Sequence, residues 1–431
     1  MNVNTRTVIL EALMMIEDGA FTHVVISDAL SKYQYLERSE RSFISKVVRG
    51  TVERRLTLDY YLGQVSNTPV NKMKPVIRNI LRMSVYQLVY MEGAEHAVCN
   101  EAVKLAKSKG FSGLSGFVNG VLRNLIRKRG AINTPTSLRI SDLAIRYSTP
   151  EPLVKQFMDY YGPEKTYEIL EAQFLPRPLW ICVNTLKITP YEAVQSFNAQ
   201  GITTAMSEEV KEAVAISDYD HLEAIPEWNE GKIFVQDLSS MILCNMVGAG
   251  VNDTVIDVCA APGGKSIHIA QIMGGKGNVL ARDVSEEKTA LINANLARLE
   301  LHNVHTQVRD ALSFHEEDRE SADIVLCDLP CSGLGCIGRK PDIKYNWTTE
   351  RSKELIKHQR DILKVSAEYV KPDGKLIYST CTIGTGENSE NAKWFEANFP
   401  FKLEKEREIL PDGDHDGFYI SVFKKDHDYG Y

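Results

Sequence analysis

The chain has 431 residues, 43% apolar and 25% charged, with no apolar run approaching 18 residues. It can therefore bury sizeable cores, divides naturally into two or three domains, and carries no sequence signature of a membrane span. Its eight cysteines include no C-x-x-C pair, which argues against a disulfide scaffold and for reduced thiols.

The formal charge of -7 hides an asymmetry: residues 1–130 hold 19 Lys and Arg against 11 Asp and Glu, a net +8, and the rest hold 31 against 46, a net -15. A basic module joined to an acidic one predicts that the first grips a polyanion and the second does chemistry. Residues 1–6 precede an amphipathic helix rather than resembling a signal peptide, so a cytoplasmic protein is expected.

From residue 5 to 129 nearly every segment has helical period. Val8, Ile9, Ala12, Leu13 and Ile16 form one stripe, Phe43, Ile44, Val47, Val48 and Val52 another, and a third runs from Val76 to Val89. Gly63 and Gly110 read as helix ends. The cation pairs Arg78 with Arg82, Lys104 with Lys107 and Arg123 with Arg127 each share a helix face, a pattern suited to phosphates.

Residues 130–137 read as a linker, which makes 1–137 the first domain. Helices are expected near 141–147, 152–161 and 164–173, a strand at 179–184 and a helix at 190–198, followed by a strand-poor stretch to residue 228. Residues 138–230 are thus expected to form a small α/β module. From 231 to 431 strands and helices alternate, which predicts a parallel sheet covered on both faces.

The centre of that third domain is Val255-Ile-Asp-Val-Cys-Ala-Ala-Pro-Gly-Gly-Lys-Ser266, a strand, a small-residue turn and a helix start. Asp283 ends the next strand twenty residues beyond Gly263, the offset at which an acid meets ribose hydroxyls. Gly264-Lys265-Ser266 imitates a P-loop, but Cys259 stands where the first glycine is needed, and the loop is not G-x-G-x-x-G either. A nucleoside triphosphate and a dinucleotide are therefore disfavoured, and S-adenosylmethionine is the expected cofactor.

Asp257, Asp283, Asp310, Asp328 and Cys381 all fall at strand ends, and Asp328-Leu-Pro-Cys331 and Ser379-Thr-Cys381 deliver two thiols to one side of the sheet. Carbon 5 of cytosine needs a thiolate on carbon 6 before it can accept a methyl group, whereas an exocyclic amine does not. The thiol at 331 therefore argues for carbon as acceptor. The residues alone leave Cys331 and Cys381 equal candidates for the nucleophile. Cys327, Cys331 and Cys336 lack histidine partners at finger spacing, so no metal is expected.

Two resemblances add to this reading. Residues 5–128, above all 96–106 and 116–123, look like the helical RNA-binding domain of NusB-type antitermination factors, which implies an all-α docking domain. The motifs Asp-x-Pro-Cys-Ser-Gly and Ser-Thr-Cys-Thr, with 257–265, Asp283, Asp310, Gly338-Arg-Lys-Pro-Asp342 and Asp416-Gly-Phe-Tyr419, resemble the two-cysteine RNA cytosine-5 methyltransferases, particularly their Sun/Fmu group. One departure is Pro152, where members carry an aromatic.

That resemblance implies a Rossmann-like class I methyltransferase domain, with Cys381 as nucleophile, Cys331 in product release and Asp328 on the cytosine edge. It implies that Cys259, Ala260, Ala261, Pro262, Gly263, Gly264, Lys265, Asp283, Asp310 and Asp328 hold S-adenosylmethionine, with Gln236 and Asp237 beside that pocket. The implied substrate is an unpaired or loop cytosine of 16S ribosomal RNA; alternatives are tRNA with the same chemistry, or a non-catalytic RNA-binding assembly factor. Lys340 is a candidate for activating the thiolate.

Overall fold

The structure, a computed structural model, describes residues 3–427. Residues 1–2 and 428–431, which open the first expected domain and close the third, lie outside the described residues. The chain forms two compact units, 1–171 with 339–346, and 172–338 with 347–431.

The first unit is helical: α1 (Thr5–Glu17), α2 (Thr22–Lys32), α3 (Arg38–Glu53), α4 (Arg55–Val65), α5 (Pro75–Tyr90), α6 (Glu95–Ser108), α7 (Ser115–Lys128), α8 (Ile140–Arg146) and α9 (Glu151–Ala172). Helix α1 starts where the Asn4 side chain accepts hydrogen bonds from the Arg6 and Thr7 amides, and Pro75 opens α5 at its first turn. The apolar stripes converge as expected: Ile9, Leu13, Val47, Val48, Leu62, Ile80, Leu81, Leu105 and Leu122 share one core. Helix α9 is broken at Gly162 (φ 73°), matching the two helices expected there. Gly63 is a correction, because it lies inside α4.

Arg78 and Arg82 are a second correction. Arg78 Nε donates to Glu17 at 2.9 Å, and Arg82 donates through Nε and Nη2 to both Asp59 oxygens at 2.7 Å. These ion-paired side chains, 15% and 10% exposed, tie helices together and are not a phosphate face. Lys104, Lys107, Arg123 and Arg127 are exposed.

The second unit opens with β1 (Leu179–Val183), α10 (Pro190–Ala199), β2 (Thr203–Met206), β3 (Ala213–Ser217), α11 (Pro226–Asn229) and β4 (Ile233–Val235). These strands make an antiparallel sheet in the order β2-β3-β1-β4, so the stretch before residue 228, expected to be strand-poor, holds two strands. Its pattern was weak because β2 is largely exposed and β3 nearly all buried, and neither alternates.

There follow α12 (Leu238–Val247), β5 (Thr254–Asp257), α13 (Gly264–Ile272), β6 (Asn278–Asp283), α14 (Glu286–Leu299), β7 (Val304–Val308), β8 (Ala322–Asp328), α15 (Ile343–Asn346, within the first unit), α16 (Thr349–Ala367), β9 (Val370–Thr380), α17 (Ser389–Asn398), β10 (Phe401–Ile409) and β11 (Phe418–Lys425). The seven-stranded sheet runs β10-β11-β9-β8-β5-β6-β7. Strands β9 to β7 are parallel and β11 and β10 antiparallel, so the sheet is mixed rather than wholly parallel.

Both sheets contribute to one core, Trp180 and Cys182 from the smaller and Val255, Val279 and Ile324 from the larger, together with Leu238 and Ile242 of α12 and Ile267 and Ile269 of α13. Among the described residues no helix is long and apolar enough to cross a membrane.

Candidate active site

Three strand tips build the site. Asp257 on β5 lies beside Leu326 on β8, and Asp328 on β8 beside Ser379 on β9, so the carboxyl ends of these strands are neighbours. After β5 the chain runs outward through β6 and β7, then crosses back to set β8 and β9 on the other side of β5. A parallel sheet holds its ligands in the crevice at such a reversal.

On the β5 side, Cys259, Ala260, Ala261, Pro262, Gly264, Lys265 and Asp328 line a cavity of about 180 Å³ together with Gln236 and Asp237. Gly263 caps α13 at φ 103°, with no side chain bonded to the helix's first amides, so these N–H groups remain for a ligand. A Cβ at Gly263 would sit 3.0 Å from Ile292 Cγ2, which is why the turn needs glycine. Burial pushes the Asp257 carboxyl up to about 7 despite a 2.6 Å hydrogen bond from Ser266 Oγ.

Asp283 and Asp310 stand at the next two strand ends but are not in that wall. Asp283 accepts from the Ala261 amide and from Lys288 Nζ, both at 2.9 Å, so it shapes the loop. Asp310 is exposed and accepts from the Leu312 amide at 3.0 Å.

On the β8 and β9 side the two thiols meet, with Cys331 Sγ 3.3 Å from Cys381 Sγ. Cys336 is the third sulfur here, and its Sγ lies 3.8 Å from the Cys381 carbonyl. Hydrogen bonding to Cys381, reinforced by burial, holds both the Cys331 and Cys336 thiols well above the usual range. Both therefore favour the protonated form at rest; Cys336 Sγ donates to the Cys381 carbonyl, and a Cys331 S–H facing Cys381 Sγ favours a thiolate there. The sequence reading had weighed Cys336 only as a metal ligand. Among the described residues no group of three or more His, Cys, Asp or Glu is placed to hold a metal ion.

The cation beside Asp328 is Lys265. Lys265 Nζ lies 2.6 Å from Asp328 Oδ2; burial works against its charge, but Asp328 and, more weakly, Cys381 raise its pKa. Lys340 belongs to the first unit, where its charge acts on His23. Asp328 also accepts from Ser379 Oγ at 2.8 Å.

Sequence reasoning also missed Glu387 and Gln359. Buried Glu387 accepts from the Ser332 amide at 2.9 Å and from Gln359 Nε2 at 3.0 Å. It fixes the Cys331 loop from a stretch whose local pattern carries no signal.

The distant motifs converge as well. The buried Arg177 guanidinium pairs with Asp416, Ser239 Oγ donates to the Asp416 carbonyl at 2.7 Å, and a Cβ on Gly335 would strike the Gly417 carbonyl. The glycines of the two loops thus allow the 331–338 backbone to lie directly on 416–417.

Comparison with known proteins matches three family descriptions along the chain: NusB family over residues 3–127, the ferredoxin-like domain of RsmF/B-like methyltransferases over 149–220, and 16S rRNA methyltransferase RsmB/F over 246–424. A probable ribosomal RNA small subunit methyltransferase B of Bacillus subtilis is 34% identical over 98% of this chain and 99% of its own. One from Synechocystis is 32% identical over 94% and 96%. Among solved structures, PH0851 shares the fold at TM-score 0.84 over 99% of this chain and 100% of its own, with 24% identity. A methyltransferase homologue from Pyrococcus horikoshii aligns at TM-score 0.61 and 28% identity over 67% of this chain and 100% of its own. With a helical NusB domain, a Rossmann-like methyltransferase sheet and relatives above 30% identity matched almost end to end, the chain belongs to the ribosomal RNA small subunit methyltransferase B family.

Proposed function

We propose that this protein transfers a methyl group from S-adenosylmethionine to carbon 5 of a cytosine in 16S ribosomal RNA, through a covalent bond between Cys381 and carbon 6. The observation that carries this reading is the pair of sulfurs 3.3 Å apart at the tips of β8 and β9, adjoining a cavity whose wall includes Asp328.

S-adenosylmethionine supplies an electrophilic methyl group on a sulfonium. The residues fit it: the uncapped first turn of α13 suits a carboxylate, and the small residues 260–264 leave room for a nucleoside. Cys259, Ala260, Ala261, Pro262, Gly263, Gly264, Lys265 and Asp328 would form its cradle, and Asp283, outside that wall, would accept from the ribose hydroxyls as well as from the loop, with Asp310 toward the adenine.

Cys381, as thiolate, forms a bond to carbon 6 and drives electron density to carbon 5, which would then take the methyl group as its bond to the sulfonium breaks and neutral S-adenosylhomocysteine leaves. Asp328, held by Lys265 as a carboxylate, accepts from the cytosine amino group, and from N3 once the adduct carries a proton there. Cys331, protonated at rest, first loses its own proton to solvent, and its thiolate then takes the carbon 5 proton as the bond from carbon 6 to Cys381 breaks and returns the Cys381 thiolate.

The target base must leave its stack to reach the sulfurs, so the substrate is an unpaired or loop segment. Residues 1–137 dock RNA through Lys104, Lys107, Arg123 and Arg127, residues 138–230 hold the flanking strand, and 231–431 perform the chemistry, in the cytoplasm where ribosomes assemble.

The test is transfer of a labelled methyl group to 16S ribosomal RNA and to tRNA transcripts, with nucleoside analysis of the product. Label in 5-methylcytidine from the ribosomal RNA is expected. Label on an exocyclic amine, or only in tRNA, would reject the reading.

A further inference from the structure

Behind the cavity lies a buried polar chain that the reaction as described leaves unused. His268 in α13 is fully buried, with Nε2 2.8 Å from Glu212 Oε1 and Nδ1 2.9 Å from Gln236 Oε1. Burial opposes charge on Glu212, but the hydrogen bond and charge of His268 hold its carboxyl below the usual value. A carboxylate only accepts, so Nε2 must carry a proton.

The state of Nδ1 then decides which way Gln236 faces. A neutral ring would accept there, and the amide would turn its NH2 inward and its oxygen to the cavity. An imidazolium donates there and turns the amide the other way. Burial works against a charge on His268, but the sulfurs of Cys182 and Cys244 raise its pKa well above the ordinary value, and the Glu212 carboxylate lies 2.8 Å from Nε2. With Nε2 facing that carboxylate and Nδ1 2.9 Å from Gln236 Oε1, a ring protonated on both nitrogens satisfies both contacts and takes up the Gln236 oxygen.

The amide nitrogen is left facing the cofactor side. Gln236, 6% exposed, directs one N–H toward Cys244 Sγ at 3.7 Å. Its second N–H has no protein partner among the described residues. Nε2 lies 3.9 Å from where a Cβ on Gly264 would stand, against the first turn of α13 whose amides no side chain caps.

The geometry points to Gln236 as the residue that binds the carboxylate of the methyl donor's amino-acid arm, with Glu212 and His268 as positioning residues that hold its N–H groups toward the cavity. This rests on the cofactor reading above. The carboxylate is the only anionic group of S-adenosylmethionine, and a donor amide beside uncapped helix amides is built for an anion.

The experiment is calorimetric titration of the full chain with S-adenosylhomocysteine and with 5′-methylthioadenosine, which keeps the nucleoside and sulfur but lacks the amino-acid arm. Gln236→Glu, similar in size but without N–H donors, is expected to raise the Kd for S-adenosylhomocysteine on the order of 10-fold or more. It should leave 5′-methylthioadenosine within about twofold and the Tm unchanged. Glu212→Gln, which keeps an acceptor but removes the charge behind His268, should give the same selective loss in smaller measure.

Equal weakening of both ligands, no change in either, or tighter S-adenosylhomocysteine binding by Gln236→Glu, as an ammonium contact requires, would overturn the assignment. Failure of the unaltered protein to bind S-adenosylhomocysteine would remove the cofactor reading itself, and this inference with it.

Discussion

Replacing Cys331 with alanine should turn the protein into a trap for its own substrate. The reasoning gives Cys381 the bond-forming role and Cys331 the release step, so the variant makes the adduct and fails to resolve it. The neighbouring groups are engaged elsewhere: Ser332 Oγ with Thr382 Oγ1 at 2.7 Å, Asp328 with Lys265 at 2.6 Å, Glu387 with the Ser332 amide at 2.9 Å, and Cys336 Sγ with the Cys381 carbonyl at 3.8 Å. Loss of a positioned acid or base slows a step by about 10²–10⁴-fold, some 3–5 kcal/mol, and turnover should fall by that factor.

The assay is a denaturing gel of protein incubated with ordinary cytosine RNA and S-adenosylmethionine. Cys331→Ala should show a protein–RNA band, and Cys381→Ala none, even with 5-fluorocytosine RNA. A band in Cys381→Ala that is absent from Cys331→Ala reverses the two roles, and no band in either variant or in the parent with 5-fluorocytosine refutes covalent catalysis.

Three other outcomes are expected. The Asp257 carboxyl, raised by burial to about 7, is protonated in the fold at a pH where the unfolded chain is ionised. Stability should therefore decline from pH 4 through 7, by up to ~4 kcal/mol; Asp257→Asn should lose that slope in Tm measured against pH, and retention of the slope would refute its origin here. Lys344 is fully buried, donates to the Glu53 carbonyl at 2.9 Å, and is drawn down by burial to about 7. The unfolded chain then binds the extra proton, so Lys344 should make stability rise between pH 7 and about 10; Lys344→Met with Glu53→Gln should flatten that rise in chemical denaturation. Finally, Arg123→Glu with Arg127→Glu, both exposed, should raise the RNA KM and reduce its salt dependence with kcat little changed, whereas an unchanged KM would remove RNA docking from that face.

Much of the candidate site was legible because its chemistry is carried by strand ends and by turns whose residues are contiguous. Asp257 to Lys265 reads as strand, tight turn and helix within one short stretch, and Asp328 to Cys331 and Ser379 to Cys381 each deliver a group just past an apolar run. What escaped were groups whose meaning depends on a distant partner. Lys265 was assigned to the cofactor cradle with no sign of its pairing to Asp328, Cys336, set aside as a metal ligand, had no role until Cys381 stood beside it, and Arg78 and Arg82 looked like a phosphate face until Glu17 and Asp59 paired with them.

The sequence by itself determined the helical period of the first 130 residues, the strand and helix alternation after 254, and which residues end each strand, since these depend on neighbours within a turn or two along the chain. Only the tertiary structure decided that β8 and β9 lie side by side and bring two sulfurs fifty residues apart to 3.3 Å, that residues 339–346 belong to the helical unit, and that His268 stands between Glu212 and Gln236. Strand order, burial and the field around a titrating group arise from packing between segments far apart in the chain, and spacing along one segment holds no record of them.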